Sequence, residues 1–331
     1  MTLVPSHPAV ETATRRPEVH RYTGSSGSPR RGDRPRRVKK FGHERRRVAL
    51  LLLAPSVIHL VWWIGIPVVA TFALAFTDYD ILAGTVTFNG LDNFQEIFSD
   101  PTWNSSIWHT VVFTFFTVPV AMAIAVVLAL LLNVKMRGSA WYRTAVFMPH
   151  VTATVAIALV WMWMFEPRLG VVNTMLGWVG IDGPVWLADP DWALTAVIVV
   201  SIWKGIGIKM LIYLAALQAM PDDVYEAARI DGASQVRQFF SITLPLLKPA
   251  TFFVLVVSII DSFQAFDQLY VLTPDGGPGN STTVMTYEIY RTAFKEFNMG
   301  AACAQSVVLF AFLLVLMLIS RRLTGKEDDV R

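Results

Sequence analysis

Residues 107–133 read IWHTVVFTFFTVPVAMAIAVVLALLLN, a run without one Asp, Glu, Lys or Arg. At 1.5 Å per helical residue such a run reaches about 40 Å, more than the ~30 Å hydrocarbon core of a bilayer. It is too long for a barrel strand and lacks the strict apolar–polar alternation of a barrel wall. Lipid offers no hydrogen-bond partners to a backbone, so the run is read as a helix that satisfies itself. Five further stretches pass the same test, near 48–76, 144–165, 193–218, 247–270 and 301–320. The prediction is an all-α integral membrane protein with six transmembrane helices over residues 48–320. Whole-chain composition agrees: 54% of the 331 residues are hydrophobic and 16% charged, against roughly 25% charged in a soluble domain. A fully soluble enzyme and a disordered or fibrous chain are thereby excluded. Cys303, the single cysteine, rules out an internal disulfide framework and a multi-cysteine metal cluster, and is read as a small apolar helix residue.

The charge that remains is unevenly placed. Residues 1–47 hold 13 Lys/Arg against 4 Asp/Glu, with few large apolar side chains. A segment of that composition cannot offset its ordering entropy, which predicts a disordered basic tail. It lacks aromatic interleaving, so no nucleic-acid partner is expected; membrane lipid, through its anionic headgroups, is the expected contact. It is also too long for the n-region of a cleaved signal peptide. With that tail inside, the inner segments 1–47, 134–143, 219–246 and 321–331 carry 13, 3, 2 and 4 Lys/Arg, and the outer segments 77–106, 166–192 and 271–300 carry 0, 1 and 2. The bias places both termini in the cytoplasm, with residues 321–331 as a second short tail.

The chain has no phosphate-binding Gly-x-x-x-x-Gly-Lys-Ser/Thr; its one Gly-Lys, Gly325-Lys326, is followed by Glu327. ATP is therefore not expected to bind this polypeptide by a P-loop. HExxH, CxxC and GxSxG are also absent and the six histidines are scattered, so no catalytic or metal-binding constellation supports a membrane enzyme.

The inner segment 219–246 reads AMPDDVYEAARIDGASQVRQFFSITLPL. Asp223 and Glu226 have the spacing of a capping box, Ala227 and Ala228 favour helix, and Gly232 supplies a stop. Ser234 can cap a second short helix expected to end near Pro245. Val224, Ala227, Ala228, Phe239 and Phe240 offer small and aromatic faces suited to a partner's groove. The order Glu226-Ala227-Ala228, three residues, Gly232, nine residues, Ile242, one residue, Leu244-Pro245 resembles the EAA loop of ABC importer permeases, anchor by anchor. Residues 45–322 further resemble carbohydrate-uptake permeases of the maltose-transporter type, and in particular the first of the two permeases that pair there. Gly90-Leu-Asp-Asn-Phe94, Tyr142-Arg-Thr-Ala-Val-Phe-Met-Pro149, Phe266-Asp-Gln-Leu-Tyr-Val-Leu-Thr273 and Gly276-Gly-Pro278 carry that likeness.

The resemblance implies a type I ABC importer permease (MetI-like) in a bacterial plasma membrane. It implies as partners a second permease forming a heterodimer, two copies of an ATP-binding subunit and an extracytoplasmic binding protein. No cofactor is expected on this chain, with ATP and Mg on the partner ATPase. The residues implied to couple to that ATPase are Glu226, Ala227, Ala228, Asp231, Gly232, Ile242, Leu244 and Pro245, on coupling helices at about 221–245.

Ionisable groups inside spans are costly and mark a substrate path or a seam between subunits. Asp261 falls near the middle of the fifth span; Gln264 and Gln268, three and seven residues on, are expected on its helical face. Asp267 lies close to that face, Tyr270 at its outer end, and the resemblance implies substrate contacts across Ser262–Gln268. Lys204 follows Trp203 in the fourth span, where it either pairs with Asp261 or binds an anionic substrate group. Members of the family usually carry a proline soon after this position; Gly205 and Gly207 stand here and permit a kink. Lys209 is expected to snorkel to the cytoplasmic interface. Thr152 and Thr154 either line the pore or bond their own helix.

The leading functional reading is uptake of an oligosaccharide or sugar-like solute. A permease for glycerol phosphate or a glycerophosphodiester is the alternative, supported by Lys204 and opposed by Asp261 and Asp267. A proton-coupled secondary transporter stands behind both, since six spans show no internal repeat and the coupling loop would lack a purpose.

Overall fold

The computed structural model describes residues 43–80, 84–133 and 138–324. The chain divides into two units, Met1–Ile58 and His59–Arg331. The described part of the first belongs to helix α1 (His43–Leu60). The helix thus starts five residues before the apolar run that predicts it. The rest of the expected basic tail, 1–42, and the last residues, 325–331, lie outside the described residues. A wide π-turn, Val61–Gly65, joins α1 to α2 (Ile66–Leu74). Pro67 at the head of α2 has no N–H to return to the preceding turn, and the wider turn accommodates that.

A short antiparallel hairpin follows, β1 (Thr77–Asp80) on β2 (Thr85–Phe88), with Thr77 opposite Phe88. This hairpin departs from the all-helical expectation. It is held by buried Asn93 of α3 (Asp92–Ser99), whose Nδ2 donates to the carbonyls of Ala75 at 3.0 Å and Thr77 at 2.9 Å. Helix α4 (Pro101–Leu132) begins six residues before the apolar run, because Asp100 accepts from Thr102 N at 2.8 Å and caps it.

The predicted third span is two helices, α5 (Ser139–Val151) and α6 (Thr154–Met164), bent by 97°. Thr152 and Ala153 between them are extended, and the Thr152 hydroxyl donates to Met148 O at 3.0 Å. After α7 (Val171–Trp178), the fourth span α8 (Pro190–Gln218) runs unbroken through both glycines. The glycines permit a kink, but they do not break the helix. Gly207 instead admits the α5 backbone: a Cβ at that position would lie 2.5 Å from Val146 O and 2.7 Å from Phe147 Cα.

The segment after α8 forms α9 (Asp222–Ile230) and α10 (Gln235–Gln238), then a π-turn, Phe239–Thr243, and α11 (Leu244–Leu246). This helical stretch ends at Leu246, next to Pro245, as the sequence predicts, although Pro245 itself is still helical. Pro245 cannot donate to the preceding turn, and the π-turn before it absorbs the missing bond. The bend of 62° falls after Leu246, before α12 (Lys248–Phe263). Helices α13 (Asp267–Leu272), α14 (Met285–Phe294) and α15 (Met299–Thr324) complete the chain, the last running beyond the expected end at 320.

Among the described residues, Leu50–Leu74, Pro101–Leu132, Pro190–Gln218 and Met299–Ser320 are each long and apolar enough to cross a membrane, and the two bent pairs bring the number to six. Helices α4 and α8 form the central pair. Ala121, Ala125 and Ala129, spaced by four, are fully buried, and that half of α4 packs with Met210, Tyr213 and Leu214 of α8. Small residues at such a seam let two backbones approach closely where lipid gives no hydrophobic drive. Nearer the other end Phe113 packs with Ala196, Val197 and Val200. Phe115 and Leu131, on the far side of α4, stay 67% and 61% exposed, as lipid-facing side chains do.

Candidate functional site

Midway along α4 and α8 the packing opens into a polar cavity of about 350 Å³. Thr117 comes from α4, His150 and Thr154 from either side of the α5–α6 bend, and Ser201, Lys204 and Lys209 from α8. Asp261, Ser262, Gln264, Asp267 and Gln268 close the remaining wall with Phe266. Six of the eight residues expected on the substrate path therefore meet in one space. They do so without forming one helical face. Helix α12 stops at Phe263, and Phe266 breaks the backbone with φ −138° and ψ −58° before α13 begins. The break turns Asp261, Gln264 and Gln268 around a common opening instead of along a stripe.

The expected Lys204–Asp261 pair is absent among the described ion pairs. The Lys204 ammonium donates to Thr154 Oγ1 across the cavity. Asp261, Asp267, Lys209 and His150 line the same space. Lys209 does not snorkel: it is 9% exposed, lines the cavity and donates to Gly205 O at 3.3 Å. Gln268 Nε2 donates to Ser201 Oγ at 2.9 Å, tying α13 to α8. The lining is thus three basic side chains and two carboxylates, with hydroxyls and amides between them. Such a set holds a hydroxyl-rich solute by paired donors and acceptors, and gives an anionic substituent two fixed ammonium groups.

Thr152 and Tyr270 lie elsewhere. Thr152 faces a separate apolar cavity with Pro149, Trp161 and Trp203. Tyr270 sits on α13 beyond the cavity, its ring 5.4 Å from that of Phe266. Ser201, Lys204 and Lys209 form an i, i+3, i+8 stripe on α8 that the sequence carries openly. Thr154, one of the two threonines the sequence offers for the pore, does line it, whereas His150 needed the α5–α6 bend to be recognised.

The segment 222–246 projects from the end of the bundle where α8 ends and α12 begins. Gly232 (φ +75°) closes α9, with its N–H on Arg229 O at 3.1 Å and Ala233 N–H on Ala228 O at 2.9 Å. Ser234 Oγ accepts from Arg237 N at 3.3 Å and caps α10, as the sequence predicts. The capping box does not form; α9 starts at Asp222 with Pro221 as its cap and no side-chain bond. Tyr225 OH reaches Thr243 Oγ1 at 3.0 Å and ties the two arms together. Glu226, Ala227, Asp231, Gly232, Leu244 and Pro245 are exposed, Ile242 is half-buried and Ala228 is buried. Ile230 (87%), Val236 (67%) and Phe240 (62%) extend the open face with apolar side chains.

At the opposite end, α14 buries Glu288 to 1% exposure with one oxygen on Arg291 Nη2 at 2.7 Å and the other unpartnered. Burial pushes its carboxyl up to about 7; Arg291 pulls against that, and Glu296 and Asp100 add to the upward push. A carboxyl that holds its proton more tightly folded than unfolded stabilises the fold below its unfolded value. That contribution is lost as pH rises from about 4.5 to about 7. The full loss is of the order of 3 kcal/mol. Thermal unfolding of the purified chain should therefore fall between pH 5 and 8, and Glu288→Gln should flatten that slope. An unchanged slope contradicts the assignment. No cluster of three or more His, Cys, Asp or Glu is placed to hold a metal among the described residues.

A helical bundle with spans broken around a central polar cavity, and a two-helix elbow at one end, is the architecture of a type I ABC importer permease. Residues 101–326 match the family described as the binding-protein-dependent transport system inner membrane component, and the chain belongs to that family. The sulfoquinovosyl glycerol transport system permease SmoG of Agrobacterium fabrum is 35% identical over 284 residues, covering 86% of this chain and 92% of that one. The sn-glycerol-3-phosphate transport system permease UgpA of Pectobacterium atrosepticum is 35% identical over 244 residues, covering 72% and 81%. A chain from the crystal structure of a bacterial ABC transporter involved in import of the acidic polysaccharide alginate superposes with a TM-score of 0.72 at 26% identity, over 85% of this chain and 97% of that chain. The protein is a membrane permease of the ABC-importer class.

Proposed function

We propose that this permease carries a sugar or sugar-like solute inward through the cavity between α4, α8 and α12. The observation that carries the reading is the cavity lining itself: paired donors and acceptors at the midpoint of spans that are otherwise apolar. Charged groups at that depth are costly unless used. Lys204 and Lys209 favour a second reading, an anionic solute such as a polyol phosphate or an acidic glycoside. SmoG, UgpA and the alginate transporter are by name systems for solutes of that charge.

In this reading both termini, the tails 1–47 and 321–331 and the elbow are cytoplasmic. The elbow docks on one of two ATP-binding subunits, Glu226 and the exposed apolar side chains fill its cleft, and ATP and Mg stay on that subunit. A second permease completes the pore, and an extracytoplasmic binding protein delivers the solute to the opposite face. Closure of the ATPases moves the elbow and switches the pore between inward- and outward-facing. Affinity purification of the full chain from its native membrane should bring down an ATP-binding subunit with a P-loop and a second six-span permease. A chain that purifies alone and transports alone under a proton gradient contradicts the reading.

A further inference from the structure

The polar cavity does not end at its own rim. Phe266, which borders it, is the first of four rings that continue outward. Its centroid lies 5.4 Å from Tyr270 and 5.2 Å from Tyr290, and Tyr290 lies 5.5 Å from Phe294. Tyr270 and Tyr290 meet edge-on at 83°, with Tyr270 and Phe294 42% and 60% exposed. Tyr287, Tyr290 and Phe294 share one face of α14 by their i, i+3, i+7 spacing. Tyr287 is buried behind the others, 6.1 Å from Phe266. The face is set rigidly: Thr286 Oγ1 donates to Ala265 O, Arg291 bonds Glu288, and Lys295 pairs with Asp275.

These rings pack on one another from Phe266 at the cavity rim to exposed Phe294, so a ligand at the cavity meets them. Phenol hydroxyls at the edges of apolar ring faces suit a molecule with C–H faces and hydroxyl rims, a cyclic sugar. An open-chain polyol offers no flat C–H face to such a surface.

We propose that Tyr290 and Phe294 form a second carbohydrate subsite at the mouth of the cavity, where a sugar ring stacks before it passes Phe266. The inference rests on the sugar reading above and deepens it by selecting ring sugars over open-chain polyols and their phosphates.

The test uses the purified full complex and saturation-transfer NMR with maltose and methyl glucoside as ring probes, against mannitol and glycerol 3-phosphate. Ring C–H protons should receive saturation and the open-chain probes should not. Tyr290→Leu and Phe294→Leu keep apolar volume but remove the ring, and should weaken the ring probes about tenfold, the equivalent of about 1.4 kcal/mol. Tyr290→Trp should retain binding, which a merely structural role for the side chain does not predict. Equal signals from ring and open-chain probes, absence of signal from both, or Leu variants that bind as the parent does would each overturn the subsite. ATP hydrolysis stimulated by the loaded binding protein is measured on the same samples. If it persists while the subsite fails, the transport reading stands alone; if it too is absent, the reading beneath has failed.

Discussion

Replacing Gly232 with proline is expected to abolish ATP-driven uptake while the chain still reaches the membrane. Gly232 holds φ +75° at the turn between α9 and α10 and donates its N–H to Arg229 O at 3.1 Å. Proline fixes φ near −65° and has no N–H, so both the angle of the elbow and its closing bond are lost. Gly232→Ala is the graded control. Nothing lies within 4 Å of a Cβ there, so only the left-handed backbone costs, about 1–2 kcal/mol, and partial uptake should remain. Glu226→Lys leaves the fold alone, because Glu226 is exposed, and reverses a charge on the face proposed to dock the ATPase. Such reversals cost several kcal/mol at an interface, so retention of the ATPase in a pull-down should fall roughly 30-fold or more. Normal uptake in both Gly232→Pro and Glu226→Lys would show that 222–246 is a connector and not a coupling element.

The second large effect belongs to the cavity. Lys204→Met removes the donor to Thr154 and one of the cavity's two ammonium groups. Asp261→Asn removes one of the two carboxylates that face Lys204, Lys209 and His150 in the cavity, and with it an acceptor for solute hydroxyls. Charge-assisted hydrogen bonds are worth about 1.5–3 kcal/mol, so each variant should lose roughly 10- to 100-fold in uptake of its solute with ATPase assembly intact. The two solute readings separate here. For a neutral sugar, Asp261→Asn is the more damaging change. If Lys204→Met removes uptake of a phosphorylated solute and leaves a sugar's untouched, the anionic reading takes precedence. Uptake of labelled solute into vesicles holding the parent or variant complex measures both.

The apolar runs made the membrane class readable in advance, because a charge-free stretch of such length has one physical solution in lipid. The elbow was readable too, since a left-handed stop at Gly232 and a serine cap at Ser234 are local events. Breaks inside spans were not. The bend at Thr152–Ala153 and the stop at Phe263 depend on how neighbours take up freed backbone groups, which a run of apolar letters does not record. Gly205-Ile-Gly207 permits a kink, yet Gly207 serves as a packing notch, because the α5 backbone that fills it is distant in sequence. Lys209 looked like an interfacial side chain and is a cavity wall; its i+8 relation to Ser201 was visible, but the cavity was not. Glu288 was unremarkable in an outer loop until α14 buried it against Arg291.

Solute is proposed to pass through this chain at the expense of ATP hydrolysed on a partner subunit and transmitted through the elbow. The most direct measurement follows solute entry into proteoliposomes holding the full complex and its binding protein, while ATP and the proton gradient are varied independently. Collapsing the gradient should leave uptake unchanged, withholding ATP should stop it, and Gly232→Pro should uncouple the two at full ATPase occupancy. Uptake that follows the proton gradient and ignores ATP would contradict this coupling.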